Sequence, residues 1–136
     1  MAFLNWSQSF SVGVKAFDDE HKGLMAIINE LHDKLQAGKG KDVLASILDK
    51  LIRYTVEHFQ HEEAELKRLG YPKFREHQAQ HEKLKVKVTE FRNRLTIGYN
   101  GLIAIEMMKF LKSWLEQHIL HDDKAYGNHL NSKGLH

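Results

Sequence analysis

The chain has 136 residues, which is enough for one domain. Its 20 basic and 18 acidic residues are evenly mixed and leave a net charge of only +2. This small charge argues against nucleic acid or an anionic membrane as the main partner. The absence of cysteine excludes disulfides, zinc–thiolate sites, iron–sulfur clusters and cysteine nucleophiles. Ten histidines need an explanation, because histidine is the commonest metal ligand in proteins.

The spacing of apolar residues predicts four helices after an extended N-terminal arm. Acidic residues at positions 18 to 20 favour the start of the first helix, and Gly38 and Gly40 break it. Gly70 caps the second helix, and a turn at residues 98–100 with Asn100 as N-cap separates the third from the fourth. Gly127 is expected to end the fourth helix. The predicted bounds are about 18–37, 42–69, 73–95 and 101–126.

Four long helices joined by short loops predict an all-α fold, an up-down-up-down antiparallel four-helix bundle. We expect a single domain over residues 1–136, with the arm at 1–17, the bundle at about 18–126 and a frayed tail at 127–136. Neither a signal peptide nor a membrane-spanning run is recognisable, so we expect a cytoplasmic protein without membrane insertion. We also expect a monomer.

Histidines and carboxylates from all four helices converge at one end of this bundle. That end is formed by the starts of the first and third helices and the ends of the second and fourth. Buried imidazoles and carboxylates are costly without partners, and a bound metal is the usual compensation. Five imidazoles and two carboxylates are too many for one tetrahedral zinc and suit two first-row metal ions bridged by carboxylate. The residues are His21, His58, Glu62, His77, His81, His118 and the Asp122–Asp123 pair.

Four segments in order resemble the hemerythrin family, in particular its single-domain bacterial type. They are the DDEH entry ending at His21, HFQHE from His58, HQAQH from His77 and HILHDD from His118. The resemblance extends from Trp6 to about Tyr126. It implies that His77, His81 and His118 bind one iron, that His21 and His58 bind the other, and that Glu62 and Asp123 bridge the two.

The second bridging carboxylate is the ligand on which family pattern and helix geometry differ. Asp122 lies four residues after His118, a spacing that keeps two side chains on one face of an α-helix. The family spacing of five selects Asp123 instead. The resemblance therefore implies a ligand that an ordinary α-helix would turn away from the metal.

The resemblance also implies the function, which is reversible dioxygen binding for transport, storage or delivery. Two non-haem irons with an oxo or hydroxo bridge would leave one coordination position open, on the iron held by His21 and His58. Dioxygen would bind there in a dry pocket, and an oxygen-consuming enzyme would receive it. The expected apolar wall of this pocket is Leu24, Met25, Phe59, Trp114 and Leu115.

The alternatives belong to other functional classes. One is a di-iron enzyme and another a redox or oxygen sensor, acting on dioxygen, peroxide or nitric oxide. A structural zinc bundle is the third. No catalytic acid, base or substrate pocket is recognisable beyond the ligands, so we expect a protein that is not an enzyme. Among the other histidines, His61 and His121 are expected near the site but outside its ligand set, and His129 and His136 in solvent.

Overall fold

The computed structural model describes residues 2–98 and 100–136, and these contain helices but no strand. The predicted all-α fold is confirmed. The turn predicted at residues 98–100 includes Tyr99, which lies outside the described residues. The elements are a short 3-10 helix (Gln8–Phe10), α1 (Lys15–Gln36), α2 (Lys41–Arg68), α3 (Phe74–Ile97), α4 (Gly101–Gln117), a π-helix (His118–Asp123) and α5 (Lys124–Ser132).

The helices pack in a ring, with α1 against α2, α2 against α3, α3 against α4 and α4 against α1. Each presents an apolar stripe to the centre, as three-four spacing requires. The most deeply buried apolar side chains include Leu31, Leu48, Leu66, Phe91 and Met107. No helix of the described residues is long and apolar enough to cross a membrane.

Gly70 ends α2 and lets the chain reverse into α3. Its φ of +67° lies in the left-handed region that favours glycine. The amide of Tyr71 then donates to the carbonyl of Leu66 at 2.9 Å and so satisfies a carbonyl at the helix end. This cap sets where α2 stops, and with it the level at which α2 places its metal-site residues.

The fourth helix of the bundle is longer than the sequence predicts. It runs through α4, the π-helix and α5 to Ser132, so Gly127 does not end it, and residues 127–132, which were predicted as part of a frayed tail, are helical. Gly127 has a different role, because a Cβ atom there would lie 2.2 Å from the carbonyl oxygen of Val12. The helix continues because Tyr126 and Leu130 are fully buried on its inner face.

The N-terminal arm ends at residue 14 rather than 17, since α1 begins at Lys15. It binds along α1 and the fourth helix. The side-chain amide of Asn29 on α1 pairs with both backbone groups of Leu4, at 2.7 and 2.8 Å. Lys124 donates to the carbonyl of Ser9 at 2.8 Å. The arm therefore covers the junction between the first and last helices.

Candidate metal centre

The structure brings all seven predicted ligand residues together at one end of the bundle. The seven side chains are almost completely buried, with exposed fractions of 4 % or less. Helix α1 contributes one of them, α2 and α3 contribute two each, and the π-helix contributes two. They are His21, His58, Glu62, His77, His81, His118 and Asp123.

Glu62 lies between two sets of imidazoles, with one carboxylate oxygen facing each. Its Oε1 is 2.9 Å from Nε2 of His77 and 3.1 Å from Nε2 of His81. Its Oε2 is 3.1 Å from Nε2 of His58 and 3.3 Å from Nε2 of His21. A carboxylate that divides its oxygens in this way is placed to bridge two metal ions.

Asp123 divides its oxygens between the same two sets. Its Oδ1 is 3.0 Å from Nε2 of His77 and 2.9 Å from Nε2 of His118. Its Oδ2 is 3.1 Å from Nε2 of His21. The two carboxylates thus run in parallel between a three-histidine side and a two-histidine side.

The π-helix resolves the conflict between the family spacing and α-helical geometry. A π-helix bonds residue i to residue i+5 and has a wider turn, so residues five apart share a face. His118 and Asp123, the first and last residues of this segment, both point into the cluster. Asp122 lies outside it, with its Oδ2 3.3 Å from Nδ1 of His118. An α-helical expectation for this pair fails because the helix is locally widened.

The charges in the cluster perturb one another strongly. Burial alone would lower the pKa of His77, but Asp123 and Glu62 outweigh it and raise this pKa to about 10. Burial would likewise lower the pKa of His21 and of His118, but the neighbouring carboxylates outweigh it and raise both pKa values to about 9. Burial would raise the pKa of Glu62, but the surrounding imidazoles hold it well below its usual range. In the metal-free protein, protons on these imidazoles therefore provide the positive charge that balances the carboxylates.

The nitrogen and oxygen atoms of the cluster are better placed to bind metal ions than to form hydrogen bonds with one another. Both ring nitrogens of His21 and both carboxylate oxygens of Asp123 are buried and, among the described residues, lack a hydrogen-bond partner, although two of these atoms are 3.1 Å apart. Polar atoms that lie close together without forming a hydrogen bond are expected where several side chains point at a shared ion. Two groups can each hold an ion, one of Glu62, His77, His81, His118 and Asp123 and one of His21, His58 and Glu62.

Side chains around the cluster fix the orientation of its ligands, and no motif in the sequence singles them out. Tyr126 donates to Oε2 of Glu62 at 2.8 Å. Three histidines also place their outer nitrogen, Nδ1, on a carboxylate or amide oxygen. The pairs are His58 with Glu20 at 2.6 Å, His81 with Glu63 at 2.7 Å and His118 with Gln80 at 3.1 Å. Glu20 and Glu63 each lie next to a predicted ligand in the sequence, and this position is the one feature by which they could have been found.

Aromatic rings cover part of the cluster. Phe59 stacks on His81 with 3.6 Å between ring centroids, and Trp114 stacks on His118 at 4.3 Å. Next to them, Leu24, Trp114 and Leu115 line a small cavity of about 20 Å³ together with Ile28, Leu51, Thr55, Leu84, Val88 and Leu111. Met25 is buried but does not line this cavity.

The other histidines lie outside the cluster. His61 is 60 % exposed, and its Nδ1 is 2.6 Å from Oε2 of Glu20. His121 and His136 are exposed. His129 was expected in solvent but is partly buried on α5, with Nε2 2.8 Å from the carbonyl of Leu69. That expectation is wrong because α5 extends past Gly127. His32 lies at a distance from the centre, stacked on Phe3.

Fold and site together define a class, the four-helix bundles that hold a carboxylate-bridged pair of metal ions among imidazoles. The model of the hemerythrin HHE cation-binding domain matches residues 12–130. The chain belongs to the hemerythrin family, whose cofactor is a pair of non-haem irons.

Individual relatives cover nearly the whole chain. A bacteriohemerythrin of Pseudomonas aeruginosa is 35 % identical over 126 residues, which are 93 % of this chain and 80 % of the relative. A bacteriohemerythrin of Methylococcus capsulatus is 34 % identical over 128 residues, 93 % of this chain and 96 % of the relative. A crystal structure of wild-type hemerythrin is 34 % identical with a TM-score of 0.85, covering 95 % of this chain and 98 % of that one.

Proposed function

We propose that this protein binds dioxygen reversibly at a di-iron centre and serves to carry, store or deliver it. The observation that supports the proposal is the pair of buried carboxylates, Glu62 and Asp123, each with its two oxygens facing different sets of histidines. This arrangement favours two adjacent metal ions over a single one. Membership of the hemerythrin family makes those ions iron.

The proposed ligand assignment follows the two sides of the cluster. His77, His81 and His118 would hold one iron, and His21 and His58 would hold the other. Glu62 and Asp123 would each offer one oxygen to each iron. Each imidazole binds through Nε2, the nitrogen that faces the carboxylates in all five cases.

The two sides offer unequal numbers of donors. Three imidazoles lie on one side and two on the other, while the carboxylates serve both. The side of His21 and His58 is therefore one donor short, and dioxygen would bind there. When bound, the two ferrous irons supply the electrons that dioxygen takes up, one from each.

The residues around the centre exclude water from it. Phe59 and Trp114 cover the ring faces of His81 and His118, and Leu24 and Leu115 extend this apolar wall away from the metal end. Reversible binding requires such a wall, because a proton or water that reaches the bound gas converts binding into irreversible oxidation. Met25 stays a predicted member of the wall.

The proposal is tested by metal analysis and by optical spectra of the reduced protein under nitrogen, in air and under nitrogen again. We expect about two irons per chain and a spectrum that appears and disappears over repeated cycles. The substitution His77→Ala should remove iron, whereas the exposed control His121→Ala should not. One zinc and no iron from iron-replete cells would contradict the di-iron centre.

The same preparation separates the carrier from its alternatives. A di-iron enzyme would consume peroxide or nitric oxide catalytically, whereas a carrier would return its dioxygen unchanged when the gas is removed. A sensor would bind dioxygen reversibly too, but would need a partner that responds to it. The cytoplasmic location, the monomeric state and an oxygen-consuming recipient stay predictions from the sequence.

A further inference from the structure

Glu20 uses both of its carboxylate oxygens to hold two histidines of the neighbouring helix. It lies on α1 directly before His21. Its Oε1 is 2.6 Å from Nδ1 of the buried His58, and its Oε2 is 2.6 Å from Nδ1 of the exposed His61. The carboxylate itself is only 23 % exposed. An ionised carboxylate only accepts hydrogen bonds, so both imidazoles donate to it through Nδ1–H.

This contact selects the form of His58 that can bind a metal. A neutral imidazole with its proton on Nδ1 has its lone pair on Nε2, and that atom points to Glu62 at 3.1 Å. The backbone of Glu20 is also fixed from α2, because the hydroxyl of Tyr54 donates to its carbonyl oxygen at 3.1 Å. Main chain and side chain are thus both held in place opposite His58.

We propose that Glu20 is the positioning residue of the two-histidine iron, and that His61 is the anchor that holds Glu20 in place. The inference rests on the ligand assignment of the proposed function. Glu20 acts on the two-histidine side alone because the Nδ1 hydrogen bonds of the two sides involve different residues. On the two-histidine side, His58 has Glu20, whereas Nδ1 of His21 has no hydrogen-bond partner among the described residues. On the other side, Glu63 holds His81.

The test is a titration of metal-free protein with cobalt(II) under nitrogen, in the full chain and its variants. Because no dioxygen is present under nitrogen, the readout is metal affinity and not gas binding. We expect two tight sites in the wild type. Glu20→Gln should weaken the second equivalent by roughly 10- to 100-fold and leave the first unchanged, as loss of an outer partner of a metal-bound histidine does. His61→Ala should have a smaller effect in the same direction.

Two matched controls show whether the effect is local. Glu63→Gln removes the corresponding contact of His81 and should weaken the three-histidine site instead. Asp19→Asn changes the neighbouring carboxylate, which is 52 % exposed and pairs with Lys15, and should change neither site. The two sites are told apart by the paramagnetically shifted N–H signals in proton NMR. Because the weaker amide acceptor replaces a carboxylate, the signal of His58 should shift in Glu20→Gln, and that of His81 in Glu63→Gln.

The outcomes are distinct. Two unchanged sites in Glu20→Gln, or equal loss of both, would overturn the inference, since equal loss indicates a general effect on the fold. If Glu20→Gln does not fold, Glu20→Asp is titrated, and two unchanged sites there would overturn it equally. A wild type with only one cobalt site would instead contradict the proposed function.

Discussion

Truncation of Leu115 tests the water-excluding wall most directly. Leu115 lies on α4 one turn before His118, is 4 % exposed and borders the cavity of about 20 Å³ beside Trp114. That volume is close to the minimum that accommodates one water molecule. Leu115→Ala would add the space of three carbon atoms to it. The enlarged cavity would bring solvent closer to the metal centre past the half-buried Trp114.

The expected cost in stability follows from the burial. The transfer of three carbons contributes roughly 2.4 kcal/mol, at about 0.8 kcal/mol each. The cavity term adds about 24 cal/mol for each Å³ that does not collapse, so the free energy of unfolding should fall by roughly 2–5 kcal/mol. Urea unfolding of the metal-free protein measures this directly, without a contribution from metal binding.

The expected functional effect is separate from stability. Iron content should stay near the wild-type value, because Leu115 is not a ligand, while the protein should lose its reversible response to air faster. The control is Leu31→Ala, which truncates a fully buried leucine on α1 roughly 15 Å beyond His21 along the helix axis. Leu84 is unsuitable as a control because it lines the same cavity. If both variants lose the response equally fast at equal fraction folded, Leu115 serves only the core.

Four further predictions concern helix packing, the bridging ligand, proton release and the pH dependence of stability. Gly23→Ala should destabilise the fold by about 1–3 kcal/mol in urea unfolding, because its Cβ would lie 2.0 Å from the hydroxyl of Tyr54, whereas Gly101→Ala meets nothing within 4 Å and should be harmless. Asp123→Asn should release most of both irons, whereas Asp122→Asn should cost at most about tenfold in affinity; the reverse order in metal analysis would refute the role of the π-helix. Iron binding at pH 7 should release on the order of three protons per chain, measurable in weakly buffered solution, because His21, His77 and His118 are protonated without metal. For the same reason these imidazoles should stabilise the metal-free fold fully below a pH of about 6.5, and this stabilisation should be lost as the pH rises through about 9 to 10. A free energy of unfolding that instead rose over this range would contradict the raised pKa values.

The main features of the fold follow from residue spacing. Apolar periodicity places four helices, and chain connectivity then brings histidines from four helices to one end, as the structure shows by the contacts of His21, His58, His77 and His118 with Glu62 and Asp123. Capping signals are equally local. The side chain of Asn100 accepts from the amide of Leu102 at 2.8 Å, as its position in the sequence predicts.

Features that depend on contacts between distant segments were not predictable in the same way. Gly127 resembles a helix stop, but its lack of a side chain admits the backbone of Val12, which lies more than a hundred residues earlier. In the sequence, the π-helix is indicated only by the spacing of five residues between His118 and Asp123, and that spacing conflicts with α-helical geometry. The outer contact of Glu20 with His58 depends on how closely α1 and α2 approach, which no local pattern specifies.

The docked arm also has a consequence for the order of folding. Its hydrogen bonds join the two ends of the chain, from Lys112 to the carbonyl of Phe3 at 3.1 Å and from Asn131 to the carbonyl of Gly13 at 3.0 Å. Contacts across more than a hundred residues carry a large loop-closure entropy and form late. The hairpin of α1 and α2 can form early together with the contact between Leu4 and Asn29, but the contacts of the arm with Lys112 and Asn131 must wait for the fourth helix, which also brings Asp123. We therefore expect completion of the metal centre and final seating of the arm to belong to the same late step, so that the arm is among the last segments to be ordered.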